Sequence, residues 1–147
     1  MAAYPDLKIF IVDDDIFCLT LYDQFLRNLG YTDVKSFNAG DDCLAALKEQ
    51  PELIFLDYNM EGLNGIEVLK KIKAFNPDIM VYIITGQESS MVAVEAIKAG
   101  AIDYIVKSSL SPDKMALIME KIEQSHTPKA KEARKSFFQK VKAGLRI

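Results

Sequence analysis

The chain has 147 residues, half of them hydrophobic, with 18 basic and 21 acidic side chains and a formal net charge of −3. Such a length and composition predict a well-buried single core, and the near balance of charge excludes an overall basic field that would attract nucleic acid. The longest apolar runs fall far short of the roughly 20 residues of a membrane span, so none is expected.

The N-terminus carries Asp6 and no stretch resembling a signal peptide, so a soluble, cytoplasmic protein is the expectation. Charge then divides the chain. Residues 1–125 hold 11 basic and 20 acidic side chains, whereas residues 126–147 hold 7 basic and 1 acidic. We therefore expect a compact domain over 1–125 and a basic extension over 126–147. Cys18 and Cys43 are the only cysteines and His126 the only histidine. The cysteine spacing suits neither a metal site nor a disulfide framework, and both cysteines are expected as reduced core residues. With no histidine in the body, any chemistry there falls to carboxylates.

Five short apolar runs, at 8–12, 34–37, 53–56, 80–84 and 104–106, alternate with amphipathic stretches at 15–29, 40–49, 65–75, 88–99 and 112–124. This alternation predicts a doubly wound parallel sheet covered by helices on both faces. Gly30 and Gly100 stand where helix C-terminal caps are wanted, and Ser111-Pro112 supplies an N-cap followed by proline at the first helical position. The second run, Val34-Lys35-Ser36-Phe37, is the more polar and is expected at a sheet edge.

In an open parallel sheet the ligand site lies beyond the carboxyl ends of the strands. Here those ends carry Asp13-Asp14-Asp15, Asp57, Thr85-Gly86 and Lys107-Ser108. Clustered carboxylates repel one another, and one lysine offsets only part of their charge; a divalent cation completes the balance, with Mg2+ the natural choice. A carboxylate in such a site can attack phosphorus and form an acyl phosphate. Two groups have simpler uses open to them. Asp15 suits an N-cap, and Thr85-Gly86-Gln87-Glu88 fits a capping box for the next helix.

The runs Ile11-Val12-Asp13-Asp14-Asp15, Leu56-Asp57-Tyr58-Asn59-Met60, Ile84-Thr85-Gly86 and Tyr104-Ile105-Val106-Lys107 resemble, in order and spacing, the receiver domain of bacterial two-component response regulators. The resemblance covers 7 to about 124 and implies a flavodoxin-like fold with strand order 2-1-3-4-5. It implies that Asp57 accepts a phosphoryl group from a histidine kinase or phosphotransfer protein. It also implies Mg2+ held by Asp14, Asp57 and the main-chain carbonyl of Asn59, with Asp13 acting through water. Lys107 would neutralise the phosphate, Thr85 would donate its hydroxyl to it, and Tyr104 would turn inward as Thr85 moves, remodelling the surface of the fourth helix, fifth strand and fifth helix. Asn59 and Gln87 occupy positions that tune hydrolysis of the acyl phosphate. Such a protein is a switch rather than a multiple-turnover enzyme.

There are departures from the family pattern. Met60 is succeeded by Glu61-Gly62-Leu63-Asn64-Gly65, which adds an acid near the entrance. The family's Lys-Pro step, often cis, is Lys107-Ser108, so either the site enforces a cis bond or the loop takes another path.

In the extension, Ala133, Phe137, Val141 and Leu145 recur every four residues, with Lys131, Arg134, Lys135, Lys140 and Lys142 mostly elsewhere, which predicts a basic amphipathic helix. It could pack on its own body, on a second copy as a homodimer, on a partner protein, or against nucleic acid or an anionic membrane. It is too short for a helix-turn-helix, so output through an unknown downstream protein is expected rather than direct DNA binding. Two other readings stay open. One is a haloacid-dehalogenase-like phosphohydrolase, from Asp13 and Asp15 two apart, although the Gly-Thr usual in that family is Ile16-Phe17 here. The other is an adaptor using the receiver fold without phosphorylation.

Overall fold

The computed structural model describes residues 2–126 and, beyond them, Glu132, Ser136, Phe137, Gln139, Lys140, Ala143 and Gly144. Five parallel strands, β1 (Ile9–Val12), β2 (Val34–Phe37), β3 (Leu53–Asp57), β4 (Met80–Thr85) and β5 (Asp103–Val106), form one sheet in the order β2-β1-β3-β4-β5. Between and after them lie α1 (Ile16–Asn28), α2 (Gly40–Ala45), α3 (Gly65–Phe75), α4 (Ser90–Lys98) and α5 (Pro112–Gln124). This is the flavodoxin-like arrangement expected, with the polar β2 at an edge.

Every residue of β1, β3 and β4 is buried, because helices cover both faces of the sheet. The period-two alternation of each strand divides the core in two. Ile9, Ile11, Phe55, Tyr82 and Ile84 pack with Leu19 and Leu26 of α1 and with Met115, Ile118 and Ile122 of α5. Phe10, Val12, Ile54, Leu56 and Ile83 pack with Cys43 of α2, Leu69 and Ile72 of α3, and Ala96 of α4. Because the strands are parallel, their last residues gather at one rim, which is where the polar motifs fall.

The helix ends reflect local chemistry. Asp15, Asn64, Ser89 and Ser111 each cap the adjoining helix, accepting from a backbone N–H of its first turn. Gly30 (φ 105°) and Gly100 (φ 106°) take the left-handed conformation after α1 and α4. Two expectations are corrected. The stretch 40–49 is not one helix: α2 stops at Ala45, and a 3-10 turn over Leu47–Glu49 leads to Gln50 in the left-handed region before Pro51. The fourth helix begins at Ser90 with Ser89 as its cap, so Thr85-Gly86-Gln87-Glu88 does not serve as its capping box.

In the extension, Glu132, Ser136, Phe137, Gln139 and Lys140 are helical, consistent with an extra C-terminal helix. Lys131, Ala133, Arg134, Lys135, Val141, Lys142 and Leu145 lie outside the described residues.

Gly65 opens α3 pressed against the strand that carries Asp57. A Cβ there would sit 2.6 Å from the Asp57 carbonyl oxygen and 2.7 Å from the Tyr58 Cα, both backbone atoms with no flexible side chain to yield. Gly65→Ala should therefore lose about 1–3 kcal/mol of stability by overpacking, read from urea unfolding. An unchanged midpoint would show that the loop after β3 can shift freely.

Candidate functional site

Parallel strands bring the motif ends together. Asp13 comes directly after β1 and Asp57 ends β3, and these strands are hydrogen-bonded neighbours in register at Val12 and Leu56. Asp57 in turn pairs with Ile84, one residue before Thr85. Asp13 and Asp57 are each 1% exposed and Thr85 is 2% exposed, the three buried polar side chains among the described residues.

Carboxylate oxygens of Asp13, Asp14 and Asp57 lie within 4.8 Å of one another, with Asp14 on the solvent side. Lys107 Nζ enters the cluster at 2.9 Å from Asp13 Oδ2 and 3.5 Å from Asp57 Oδ1. Among the described residues neither oxygen of Asp57 has a partner in full hydrogen-bond geometry, so the Lys107 ammonium on Oδ1 and the nearby Asn59 amide compensate Asp57 only in part. Such an oxygen needs a partner of another kind. The loop beside it, with Asp14, Asn59, Met60, Glu61 and Asn64, lines an open pocket of about 370 Å³. Buried oxygen ligands, excess negative charge and a solvent-facing mouth fit a hard divalent cation.

Electrostatics agree with the geometry. Burial, then the charge of Asp13, push the Asp57 carboxyl up to about 7, and Lys107 and the Asn59 amide only partly offset this. Burial opposes charge on Lys107, but its bond to Asp13 and the negative charges of Asp57 and Asp13 hold its pKa above the ordinary value.

Asp15 is exposed, caps α1 by accepting from the Phe17 amide at 2.9 Å, and is not among the converging carboxylates. The Thr85 hydroxyl donates to the Gln87 carbonyl at 3.2 Å and accepts from the Gln87 amide at 3.4 Å, so it is tied into its own loop. Asn59 and Gln87 are both exposed at the rim, and Tyr104 is half-buried, packed against the core beneath α2, α3 and α4.

No cis peptide bond occurs among the described residues; the chain after β5 turns through a 3-10 segment, Lys107–Ser109, and so takes another path than a cis step. Cys43 is core, as expected, but Cys18 is only half-buried, with its sulfur 3.9 Å from Lys107 Nζ. Its place in the first turn of the helix capped by Asp15 was a sign, available in the sequence, that it would lie near the rim.

Residues 9–120 match the family described as response regulator receiver domain. The chain belongs to this family. It is 40% identical over 120 residues to the transcriptional regulatory protein ZraR of Escherichia coli K12, covering 81% of this chain and 27% of that protein. Among solved structures it is similar to a CheY-like response regulator receiver domain protein from Methanospirillum hungatei JF-1 (TM-score 0.73, 26% identity, covering 89% of this chain and 98% of that one). It also resembles the receiver domain of NtrX from Brucella abortus (TM-score 0.71, 32% identity, covering 78% of this chain and 96% of that one). The chain spans about a quarter of the length of the curated relatives it matches. Among the described residues, no helix is long and apolar enough to cross a membrane.

Raised above its ordinary 3.8 to about 7, the Asp57 carboxyl favours the folded state at low pH, and that contribution is lost as pH rises through 7. In EDTA, Asp57→Asn should therefore raise the melting temperature more at pH 8 than at pH 5. Equal gains at the two pH values would show that this carboxyl does not titrate as its surroundings dictate.

Proposed function

We propose that the chain is a phosphorylation switch which accepts a phosphoryl group on Asp57 from a histidine kinase or phosphotransfer protein. One observation carries the reading: Asp57, buried at the end of a central strand, converges with Asp13, Asp14 and Lys107. An Asp57 oxygen attacks phosphorus, the donor's leaving group departs, and water later cleaves the acyl phosphate. Asp14, Asp57 and the Asn59 carbonyl would hold Mg2+, with Asp13 acting through water. When bound, Mg2+ would supply positive charge against the phosphoryl oxygens. Lys107, already between Asp13 and Asp57, adds charge of the same sign. Asn59 and Gln87, at the mouth, would set how water reaches the acyl phosphate.

Thr85 supplies the readout. Its hydroxyl is spent on a neutral carbonyl of its own loop, and an anionic phosphate is the stronger acceptor. Turning Thr85 inward would pull the loop before α4 and free room for Tyr104. The helix that must move with it is lightly held: Ala96 is its one buried residue, against five in α3. Met91, Val94 and Ile97 leave α4 with an exposed apolar face, which supports output by contact of α4, β5 and α5 with a protein rather than with DNA. Ile16 and Phe17, exposed beside Asp14, offer apolar surface to an incoming phosphodonor protein. The cycle is a self-catalysed phosphorylation and dephosphorylation, not a multiple-turnover enzyme. A cytoplasmic setting is part of this proposal.

Intact mass after incubation with acetyl phosphate and Mg2+ should rise by one phosphoryl group in the wild type. The gain should vanish in EDTA and in Asp57→Asn. Full labelling of Asp57→Asn would overturn the assignment. A wild type that stays unlabelled by acetyl phosphate and by phosphotransfer proteins alike would favour an adaptor that uses the fold without phosphorylation.

A further inference from the structure

At the amino ends of the strands, the pole opposite Asp57, a cleft of about 510 Å³ opens before β3 and β4. Its wall includes Lys48, Glu52, Phe75, Asp78 and His126. Phe75 ends α3 with 57% of its surface exposed, an apolar side chain on a wall that also carries Glu52, Asp78 and Lys48.

The chain leaves the body at this cleft and is fixed as it does so. The His126 ring packs edge-on to Tyr4 at 4.6 Å, and its Nε2 is 3.9 Å from Glu52 Oε1. The Tyr4 amide donates to Glu123 of α5 at 2.8 Å, tying the N-terminal segment to the same corner. α5 has ended by then, with Ser125 as its C-cap, and Pro128 two residues beyond His126 cannot continue it. The tail carries seven of the chain's 18 basic residues and the apolar positions Ala133, Phe137, Val141 and Leu145.

Phe137 is 49% exposed and no described residue beyond His126 lines the cleft; we propose that residues 129–147 fold back on their own body to lie across it, with the apolar stripe over Phe75 and the basic side chains facing Glu52 and Asp78. The occupant is the tail of the same chain rather than of a second copy. A helix over 129–142, before the turn at Ala143-Gly144, would be about 21 Å long at 1.5 Å per residue. The short tether gives the tail an effective concentration on the order of millimolar, which a second copy at micromolar concentration does not match. Docked there, the tail covers the pole away from Asp57 and leaves α4, β5 and α5 open.

Limited trypsin digestion of the full chain, with intact mass as the readout, tests this, because a docked tail is cut within 134–142 only when it lifts off. Glu52→Gln with Asp78→Asn adds no trypsin site and should speed cleavage there about fivefold, as expected for losing two surface ion-pair partners. Phe137→Asp, which leaves the body untouched, should speed it about tenfold or more. Equal cleavage rates in the wild type and Phe137→Asp would overturn the proposal. So would wild-type protection that grows with protein concentration alongside a dimer mass in light scattering, since the tail of a second copy would then fill the cleft.

Discussion

The burial of two carboxyl groups, Asp13 and Asp57, at the end of an otherwise apolar sheet is the constraint on which the site depends. β1, β3 and β4 are sealed by helices along their whole length, so a charge at their ends finds water in one direction only. Such charges persist when something compensates them. Strands stand about 4.8 Å apart, so β5, two places from β3, is roughly 10 Å away. A short side chain after β5 could not reach Asp57. Lys107 spans β4 and brings its ammonium to 3.5 Å of the Asp57 carboxylate, which is why a long cationic residue is placed there. One ammonium among three carboxylates still leaves net negative charge, and that remaining charge makes the site receptive to a cation.

The same geometry separates rigid parts from movable ones. Asp57 sits in β3, with neighbours on both sides and with Gly65 packed so closely against it that the loop after the strand has little freedom. Thr85 also ends a fully buried strand, but the loop after it is held by hydrogen bonds between Thr85 and Gln87, and the helix beyond buries little. Charge placed on Asp57 would therefore act against a stiff side and a compliant side, and displacement would go to the compliant one.

Much of this was legible in the sequence. Strands buried on both faces read as unbroken apolar runs, and Ser111-Pro112 marks the start of α5 because each of the two residues does a definite job at a helix end. The rim residues were legible for the same reason: strand direction alone places Asp13, Asp57, Thr85 and Lys107 together once the sheet is parallel. The features that escaped depended on competition between equivalent local solutions. Thr85 and Ser89 could each have capped α4, and Ser89 won, leaving Thr85 tied to its own loop. Residues 40–49 have helical periodicity throughout, yet the approach to Pro51 tightens the last turn and ends the α-helix at Ala45. Cys18 looked like one more apolar helix position until the start of α1 put it beside Lys107.

The two ends of the sheet answer opposite physical needs. At the carboxyl rim, main-chain geometry and acidic side chains gather charge that the fold itself does not neutralise, and the opening there is where, on the proposed switch, a phosphoryl group would arrive. At the amino ends the acids Glu52 and Asp78 are not buried, and Tyr4, Glu123 and His126 knit the N-terminal segment to the end of α5. An exposed phenylalanine at that pole, Phe75, gains nothing from solvent and loses apolar burial while it stays uncovered. On the proposed switch, a segment that covered the carboxyl rim would compete with a phosphodonor, and one that covered α4 would compete with an output partner. The pole beside His126 is the surface where a tethered basic helix can add stability without obstructing either contact, because both contacts lie at the other end or on the flank of the sheet.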